Sequence, residues 1–403
     1  MTTAHKWQFA ASFRYHAFGW RSDKPLLRIK EALAEIKLLA KQQPELAAAG
    51  AVLFLEKISP AIEQVDSSSG AIGSAVQRAI ATLVPIICQA KVEPAQRNRW
   101  LERLWEAIQV DHVPYIESLG DYWGELCVTP EAASEWADDF LPLLEDSWGP
   151  QTAGHAHFCG TVACLSALYA AGRHLELLAL LETAPFQWWT YRSWGVKSLL
   201  ALGRKAQAIR YAEAGTEFNA PVVAIAQTCE AILLSSGLAE AAYQRYALTA
   251  NQNTTHLATF RAIVKKYPQL QPADILRDLI ARHPGSEGKW FAAAKSAGLF
   301  DLATELAQQS PTDPRTLIRA SRDFAEQRPE FAIAVGLSAL NWIARGYGYE
   351  IGATDVLDAY AALVKAAQYS GLDEVQIRVK ISELLAKQAN SLIAGTLHQQ
   401  LSA

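Results

Sequence analysis

The sequence contains few cysteines, one methionine and no long uncharged apolar stretch, and these shortages exclude whole classes of protein. Its five cysteines are odd in number and scattered over 403 residues, unlike the disulfide framework of a small secreted domain. No stretch approaches the roughly 18 apolar residues of a membrane span. Residues 1–6 are polar and no apolar segment follows them, so we expect no signal peptide. A cytoplasmic protein with no membrane partner is predicted.

Motifs that carry known chemistry are also missing. The sequence has no His-Glu-x-x-His motif, P-loop or dinucleotide-binding glycine motif. A protein that binds nucleic acid over its whole surface is expected to be basic throughout. The formal net charge of −4 argues against this class of protein. Catalytic groups can still assemble in space, so an enzyme with a site between two halves of the chain is kept as a third alternative. We predict no cofactor and no bound metal.

What the chain has instead is a helical pattern along most of its length. Half of its residues are hydrophobic, and Ala and Leu recur at helical spacing. Thr129-Pro130-Glu131 and Asp313-Pro314 are typical helix starts, with a capping side chain followed by proline, and Thr354 is predicted to cap a later helix. The only candidate strand is the aromatic segment 7–20, whose apolar residues do not alternate cleanly. An all-α fold of about twenty helices is predicted.

Four glycine turns separate pairs of these helices, at Gly172, Gly203, Gly237 and Gly298. The gaps between them are 31, 34 and 61 residues, and an unmarked turn near residues 267–268 would divide the last gap into two. Five residues after the glycines stand Leu177, Ala208, Ala242 and Ala303, three of which are small. A helix pair that recurs at this period buries its apolar face by stacking on its neighbours.

This glycine-and-alanine spacing resembles the tetratricopeptide repeat over residues 160–310, although the aromatic and terminal proline positions of that repeat are not reproduced. The resemblance implies an α-solenoid of stacked antiparallel helix pairs with a superhelical groove that binds a partner. The preceding residues resemble HEAT-like helical hairpins only in outline. The alternative is a set of irregular hairpins whose glycines are ordinary helix C-caps. The predicted regions are an N-terminal segment 1–24, helical hairpins over 25–150, and repeats with capping helices over 151–403.

The N-terminal segment combines positive charge with aromatic rings. Residues 1–46 carry eight basic and four acidic side chains, and six aromatic residues lie between positions 7 and 20. Single-stranded nucleic acid is bound by aromatic faces next to cations, which makes Arg14, Tyr15, Trp20 and Arg21 candidate nucleic-acid-binding residues. We expect instead that the segment packs onto the first helices through Trp7, Phe13 and Trp20, with its cationic side chains reaching solvent, and nucleic-acid binding is the alternative.

Two smaller patches suggest an anion or a metal. Ser68, Ser69 and Gly70 precede a predicted helix, where backbone amides can bind an anion, although such residues more often only cap the helix. His155, His157, Cys159 and Cys164 offer zinc ligands, but their spacing matches no common zinc site, and small cysteines usually lie in helix cores.

A tryptophan-rich stretch provides the main candidate for partner binding. It contains Trp188, Trp189, Arg192 and Trp194, and we place it in a loop between repeats, with at least one ring open to solvent. Upstream lie Trp136, Asp138 and Asp139, in a run of acids that suits a basic peptide better than catalysis. Trp, Tyr and Arg dominate binding hot spots, but they also fill joints between repeats. We read the chain as a bacterial, non-catalytic adaptor for a protein or peptide, with nucleic-acid association as the alternative.

Overall fold

The computed structural model describes residues 5–149, 158–215, 220–387, 391–398 and 401. Helices and their connecting turns make up these residues, and no β-strand occurs among them, so the all-α prediction is confirmed. The chain forms two compact units, Met1–Pro221 (unit 1) and Val222–Ala403 (unit 2). The predicted boundary at residue 150 falls within residues 150–157, which lie outside the described ranges, and it stays a prediction.

Unit 1 consists of an irregular N-terminal segment followed by ten α-helices in its described part. Short 3₁₀ turns are found at Phe9–Ala11 and Glu117–Tyr122. The α-helices are α1 Asp23–Ala40, α2 Pro44–Ile62, α3 Ala71–Gln89, α4 Pro94–Gln109, α5 Trp123–Cys127, α6 Pro130–Trp148, α7 Thr161–Ala170, α8 His174–Glu182, α9 Trp189–Ala201 and α10 Lys205–Glu213.

Unit 2 consists of further helices in the part that the structure describes, from the three residues of Leu248–Ala250 to the eighteen of Ala353–Ser370. A π-helical turn, Tyr243–Ala247, joins α12 to α13, and a 3₁₀ turn occupies Glu287–Trp290. The α-helices are α11 Val222–Leu234, α12 Ala239–Ala242, α13 Leu248–Ala250, α14 His256–Lys266, α15 Pro272–Ala281, α16 Phe291–Ser296, α17 Phe300–Gln309, α18 Pro314–Phe324, α19 Pro329–Ala344, α20 Ala353–Ser370, α21 Glu374–Lys387 and α22 Ser391–Thr396.

The four predicted glycine turns share one geometry. Each glycine has a φ between 73° and 75°, a left-handed conformation that glycine adopts without a Cβ penalty. In every case the amide after the glycine donates to the carbonyl five residues before it, at 2.8–3.0 Å, which is the Schellman motif of a helix end. The next helix begins two residues after each glycine. The prediction that these glycines join two helices is confirmed.

The residues five positions after these glycines are all in the core. Leu177, Ala208, Ala242 and Ala303 are each 0% exposed, so the following helix approaches its neighbours closely at this position. The unmarked turn is also where the spacing predicts it, because α14 ends at Lys266 and α15 begins at Pro272. Stacking of the helix pairs into one solenoid stays a prediction.

The N-terminal segment packs onto α1 and α2. Trp7, Phe9, Phe13 and Phe18 are buried, and the Phe13 ring lies 5.1 Å from that of Phe54 on α2. The amides of residues 8 and 9 donate to the Glu35 carboxylate of α1. Packing is therefore confirmed for the rings of this cluster, but the same expectation is wrong for Trp20, which is 71% exposed.

Helix starts follow local chemistry in two of the three predicted cases. The Thr129 hydroxyl accepts a hydrogen bond from the amide of Ala132, and the Asp313 carboxylate accepts one from that of Thr316. Thr354 is not a cap, since α20 begins one residue earlier and the Asp355 carboxylate accepts a hydrogen bond from the amide of Gly352. The acidic side chain at the third position of α20 takes the capping role instead.

One helix among the described residues, α3, is long and apolar enough to span a membrane by length and composition alone. In the structure it packs against α1, α2 and α5, and its apolar stripe from Ile72 to Ile87 is buried. The buried core helix of a protein can have the same length and composition, so α3 is weak evidence for a membrane span. The cytoplasmic localisation stays a prediction.

Candidate functional site

The connection between α8 and α9 presents two aromatic rings to solvent. Phe186 and Trp188 stack face to face, with ring centroids 4.7 Å apart and planes 7° from parallel. Their side chains are 41% and 43% exposed. Exposed aromatic pairs of this kind are costly to leave hydrated and are typical of interaction sites. We call Phe186, Trp188 and the half-buried Trp189 the aromatic surface.

The position of this surface is fixed by the helix that follows it. α9 buries a stripe of residues at helical spacing against α7, α8 and α10. The stripe comprises Tyr191, Trp194, Gly195, Ser198 and Leu199. Trp188 precedes the first turn and contacts the ring of Tyr191 at 5.5 Å, which in turn contacts Trp148 at the end of α6 at 5.9 Å. The aromatic surface thus continues a line of rings that begins at α6.

The expectation that the tryptophan-rich stretch is a loop is wrong. Three of its four predicted binding residues belong to α9, and only Trp188 lies in the connection. Trp194 and Arg192 are 3% and 5% exposed, so neither can touch a partner in this conformation. The sequence obscures this helical stripe because an arginine and serines interrupt its apolar residues. Phe186, in contrast, stands two residues before Trp188, and its residue type and position could have indicated it.

Arg192 is buried with incomplete hydrogen bonding. Its Nη1 donates to the Gln187 side chain at 3.2 Å, and its guanidinium lies 4.4 Å from the centre of the Tyr211 ring. Its Nε and Nη2 atoms are buried and have no hydrogen-bond partner among the residues that the structure describes. Burial raises the pKa of Tyr211, and the charge of Arg192 partly offsets this rise. A buried guanidinium with two unused donors is unusual, because each unsatisfied donor costs about 1–3 kcal/mol.

The predicted acidic part of the site lies elsewhere on α6. Trp136 is buried, with its ring 5.1 Å from that of Trp123. Asp138 pairs with Arg173 at 2.6 Å, and Asp139 is exposed. These two acids precede Trp148 by nine and ten residues, or about 15 Å along a helix. The structure therefore does not join them to the aromatic surface, and Trp136 is a core residue.

The nucleic-acid-binding candidates are all exposed. Tyr15 and Trp20 are each 71% exposed, and Arg14 and Arg21 are exposed beside them. The amide of Asp66 donates to the carbonyl of Trp20 at 2.9 Å, which holds the turn 66–70 against this segment. Two exposed rings and two exposed cations thus lie within residues 14–21, and Trp20 is tied to the turn that precedes α3.

Backbone amides at the turn 66–70, which an anion would need as hydrogen-bond donors, already donate to other groups of the turn. The Ser68 amide donates to the Asp66 carboxylate, the Gly70 amide to the Ser67 carbonyl, and the Ala71 amide to the Ser69 hydroxyl. The Ser68 amide hydrogen bond lowers the pKa of Asp66. These contacts favour the interpretation that Ser68, Ser69 and Gly70 close the turn rather than bind an anion.

The metal hypothesis cannot be followed through all its residues. His155 and His157 lie outside the described ranges. Cys159 is half-buried and Cys164 is buried, and burial raises the pKa of Cys164 to about 12, so its thiol stays protonated at neutral pH. Among the described residues, no group of three or more His, Cys, Asp or Glu side chains could hold a metal ion.

No protein-family model matches this chain, and no curated protein matches it at a significant level. The resemblance to tetratricopeptide repeats therefore depends on the chain's own glycine turns and on the buried positions that follow them. Function has to be argued from surface chemistry, of which the aromatic surface is the feature that the structure defines best.

Proposed function

We propose that the chain is a non-catalytic helical-repeat scaffold, tetratricopeptide-like over residues 160–310, that binds a protein or peptide partner. The four glycine turns support the repeat, since they share φ angle, hydrogen-bond pattern, distance to the next helix and a fully buried position five residues on. Ordinary C-caps would share the first two features without the last two.

The observation that carries the binding proposal is the stacked, exposed pair Phe186 and Trp188. Large flat rings supply much contact area at a small cost in side-chain entropy, which makes them frequent anchors of interfaces. Their mutual stacking keeps both rings in place before a partner arrives, so little ordering is needed on binding. A peptide with an apolar side chain is the kind of ligand that this surface suits.

The test is affinity capture with the purified full chain as bait, in extract of cells that produce the protein, read by quantitative mass spectrometry. The variant Phe186→Ser with Trp188→Ser removes both rings. Tyr349→Ser is the control, because Tyr349 is 80% exposed and lies outside the aromatic surface. We expect one or a few proteins to be enriched by wild type and Tyr349→Ser, and lost with the double variant.

Captured candidates are then purified and titrated against the same three baits by calorimetry. A loss of at least about tenfold in affinity for the double variant, or about 1.4 kcal/mol, supports the proposal. Equal affinity for all three baits contradicts it.

Nucleic-acid association through the N-terminal segment is the second candidate function. The observation in its favour is that Arg14, Tyr15, Trp20 and Arg21, which lie within eight residues of one another along the chain, are all exposed. Aromatic stacking and cations together bind single strands without sequence preference.

The test is binding of a labelled single-stranded oligonucleotide at low salt, with Arg14→Ala/Arg21→Ala as the variant. Counterion release predicts an affinity that falls steeply with salt and falls again in the variant. Arg99→Ala/Arg103→Ala is a control of equal charge change on α4 of the same unit. No detectable binding at low salt removes this function.

A further inference from the structure

A row of arginines runs along the outer face of α18. Arg315, Arg319 and Arg322 have i, i+4 and i+7 spacing, which places them on one side of a helix, and all three are exposed. The opposite side of α18 is buried through Leu317 and Ser321. Like charges four residues apart destabilise an isolated helix, so this arrangement does not serve the stability of α18.

The row forms one wall of a cavity of about 390 Å³ between α18 and α20. α20 supplies the other wall and adds a fourth cation, Lys365. The floor between the walls is apolar, formed by Ile318, Ala361 and Ala362. At one end of the cavity Arg315 contacts Asp355, and Lys365 lines the cavity further along α20.

The acids of the cavity are at one end only. Asp355 pairs with Arg315 at 2.7 Å, and Arg315 also donates to the Glu350 carbonyl. The hydrogen bond from Arg315 lowers the pKa of Asp355, so this carboxylate is ionised and its charge is paired with that of Arg315. Asp358, the second acid of the lining, is the next one along α20, and none follows it in the cavity.

Arg319, Arg322 and Lys365, the cations towards the other end, form no ion pair across the cavity with a described acid. Arg322 pairs with its neighbour Asp323 at 2.8 Å. Arg319 donates to the Thr316 hydroxyl at 3.1 Å, and no described acid lies within ion-pair distance of Arg319 or Lys365. Four cations stand against the two acids of the lining and Asp323, the partner of Arg322, which leaves a net charge of +1, opposite in sign to the whole chain.

We propose that this cavity, the basic groove, binds an acidic peptide segment of a partner protein. The three arginines span seven residues, or about 10 Å of helix, which equals about three residues of extended chain. A row of cations over an apolar floor matches alternating acidic and aliphatic side chains, whereas a single phosphate would need cations that converge on one point. The inference depends on the proposed function of the chain as a partner-binding scaffold.

The experiment uses the full chain and a fluorescein-labelled peptide in which glutamate alternates with leucine, read by fluorescence anisotropy. A peptide with lysine in place of glutamate and a single-stranded oligouridine are the comparison probes. We expect the glutamate peptide to bind, its affinity to fall as salt is added, and the lysine peptide not to bind. Arg319→Glu/Arg322→Glu should weaken binding about tenfold or more.

Two variants serve as controls. Arg277→Glu/Arg282→Glu makes the same charge change on exposed arginines at α15 of the same unit, and should leave binding of the glutamate peptide intact. Phe186→Ser/Trp188→Ser should also leave it intact, which separates this inference from the test of the aromatic surface. If Arg319→Glu/Arg322→Glu unfolds the chain by circular dichroism, Arg319→Gln/Arg322→Gln replaces it.

The proposal is overturned if the glutamate peptide does not bind, or if both arginine double variants weaken it equally. It is also overturned if oligouridine binds more tightly than the peptide and loses affinity in the Arg319/Arg322 variant, because the basic groove would then be a nucleic-acid site.

Discussion

Both units bury charged side chains, and two of these, Glu230 in unit 2 and Arg192 in unit 1, differ sharply in their hydrogen bonds; Arg97, the other buried arginine of unit 1, donates to the carbonyls of Ile87 and Ala90. In unit 2, Glu230 is 1% exposed, and its carboxylate accepts hydrogen bonds from Asn251, Lys266 and Tyr267, each at 2.7 Å. In unit 1, Arg192 is 5% exposed, and two of its nitrogen atoms have no hydrogen-bond partner within the described part of the chain.

The hydrogen bonds of Glu230 give its burial a structural reason, whereas the contacts of Arg192 do not account for its burial. The Glu230 carboxylate joins α11 to α14 and to the residue after α13, so its desolvation is offset by three hydrogen bonds. Burial and the contact with Glu230 raise the pKa of Tyr267, which keeps this phenol protonated as a donor. The desolvation of Arg192 is offset only by a hydrogen bond to the Gln187 side chain and by contact with the Tyr211 ring. Arg192 lies one helical turn from the aromatic surface.

The largest effect is expected at Glu230. Glu230→Leu removes the shared acceptor and leaves the buried Tyr267 hydroxyl without a partner, so the free energy of unfolding should fall by about 2–3 kcal/mol. Urea unfolding of the full chain measures this. Glu240→Leu, at an exposed position of α12, is the control and should change stability by less than about 0.5 kcal/mol. A similar loss in both variants would deny Glu230 a structural role.

The glycine turns should respond alike in the two units. Gly203 lies in unit 1 and Gly237 in unit 2, both with φ 73° and with no atom within 4 Å of the point that a Cβ would occupy. Valine at either position therefore costs backbone strain alone, about 1 kcal/mol or more. Gly73→Ala on α3, where φ is ordinary and space is open, should instead stabilise slightly. Clearly unequal losses at the two turns would break the repeat interpretation.

Arg192 should matter little for stability. Arg192→Met keeps the volume but loses the contact with Tyr211, which is worth roughly 0.5–2 kcal/mol, and the hydrogen bond to Gln187. It also removes the cost of burying a guanidinium whose Nε and Nη2 have no partner among the described residues, which offsets these losses. The free energy of unfolding should stay within about 1 kcal/mol of wild type. If urea unfolding shows a loss near that of Glu230→Leu, Arg192 is a structural charge like Glu230 and the comparison fails.

The smallest effect is a pH dependence at His256 in unit 2. Burial lowers the pKa of His256, and the charges of Lys289 and His283 lower it further; its ring meets that of Trp290 at 4.6 Å. The unfolded chain therefore binds the proton more readily, and stability from this group is lost as pH falls from the ordinary histidine pKa of about 6.5. His256→Gln should flatten urea-unfolding stability between neutral and mildly acidic pH. An unchanged slope would contradict this cause.

Much of the fold could be predicted because its signals are local. A glycine that ends one helix, or Thr129 and Asp313 that begin another, acts through atoms within a few residues along the chain. The start of α9 could not be found in this way, since Trp189 begins a helix without a capping side chain and owes its place to packing against three other helices.

In the candidate site, too, features set by local sequence could be predicted and features set by distant packing could not. Trp188 is predictable from its residue type and position, whereas the burial of Arg192, Trp194 and Trp136 depends on neighbours distant in sequence. The arginine row of α18 is visible as a spacing in the sequence, but that spacing alone does not indicate a site. The basic groove as a whole was not predictable, because Lys365 joins the arginines only through the packing of α20 on α18.

The most direct measurement is photo-crosslinking in cells that produce the protein, with p-benzoylphenylalanine in place of Trp188 and, in a second strain, of Tyr349. A partner held on the aromatic surface predicts a discrete cross-linked product at position 188 that is missing at position 349, and mass spectrometry identifies the partner. No product at position 188, or the same products at both positions, would contradict the account.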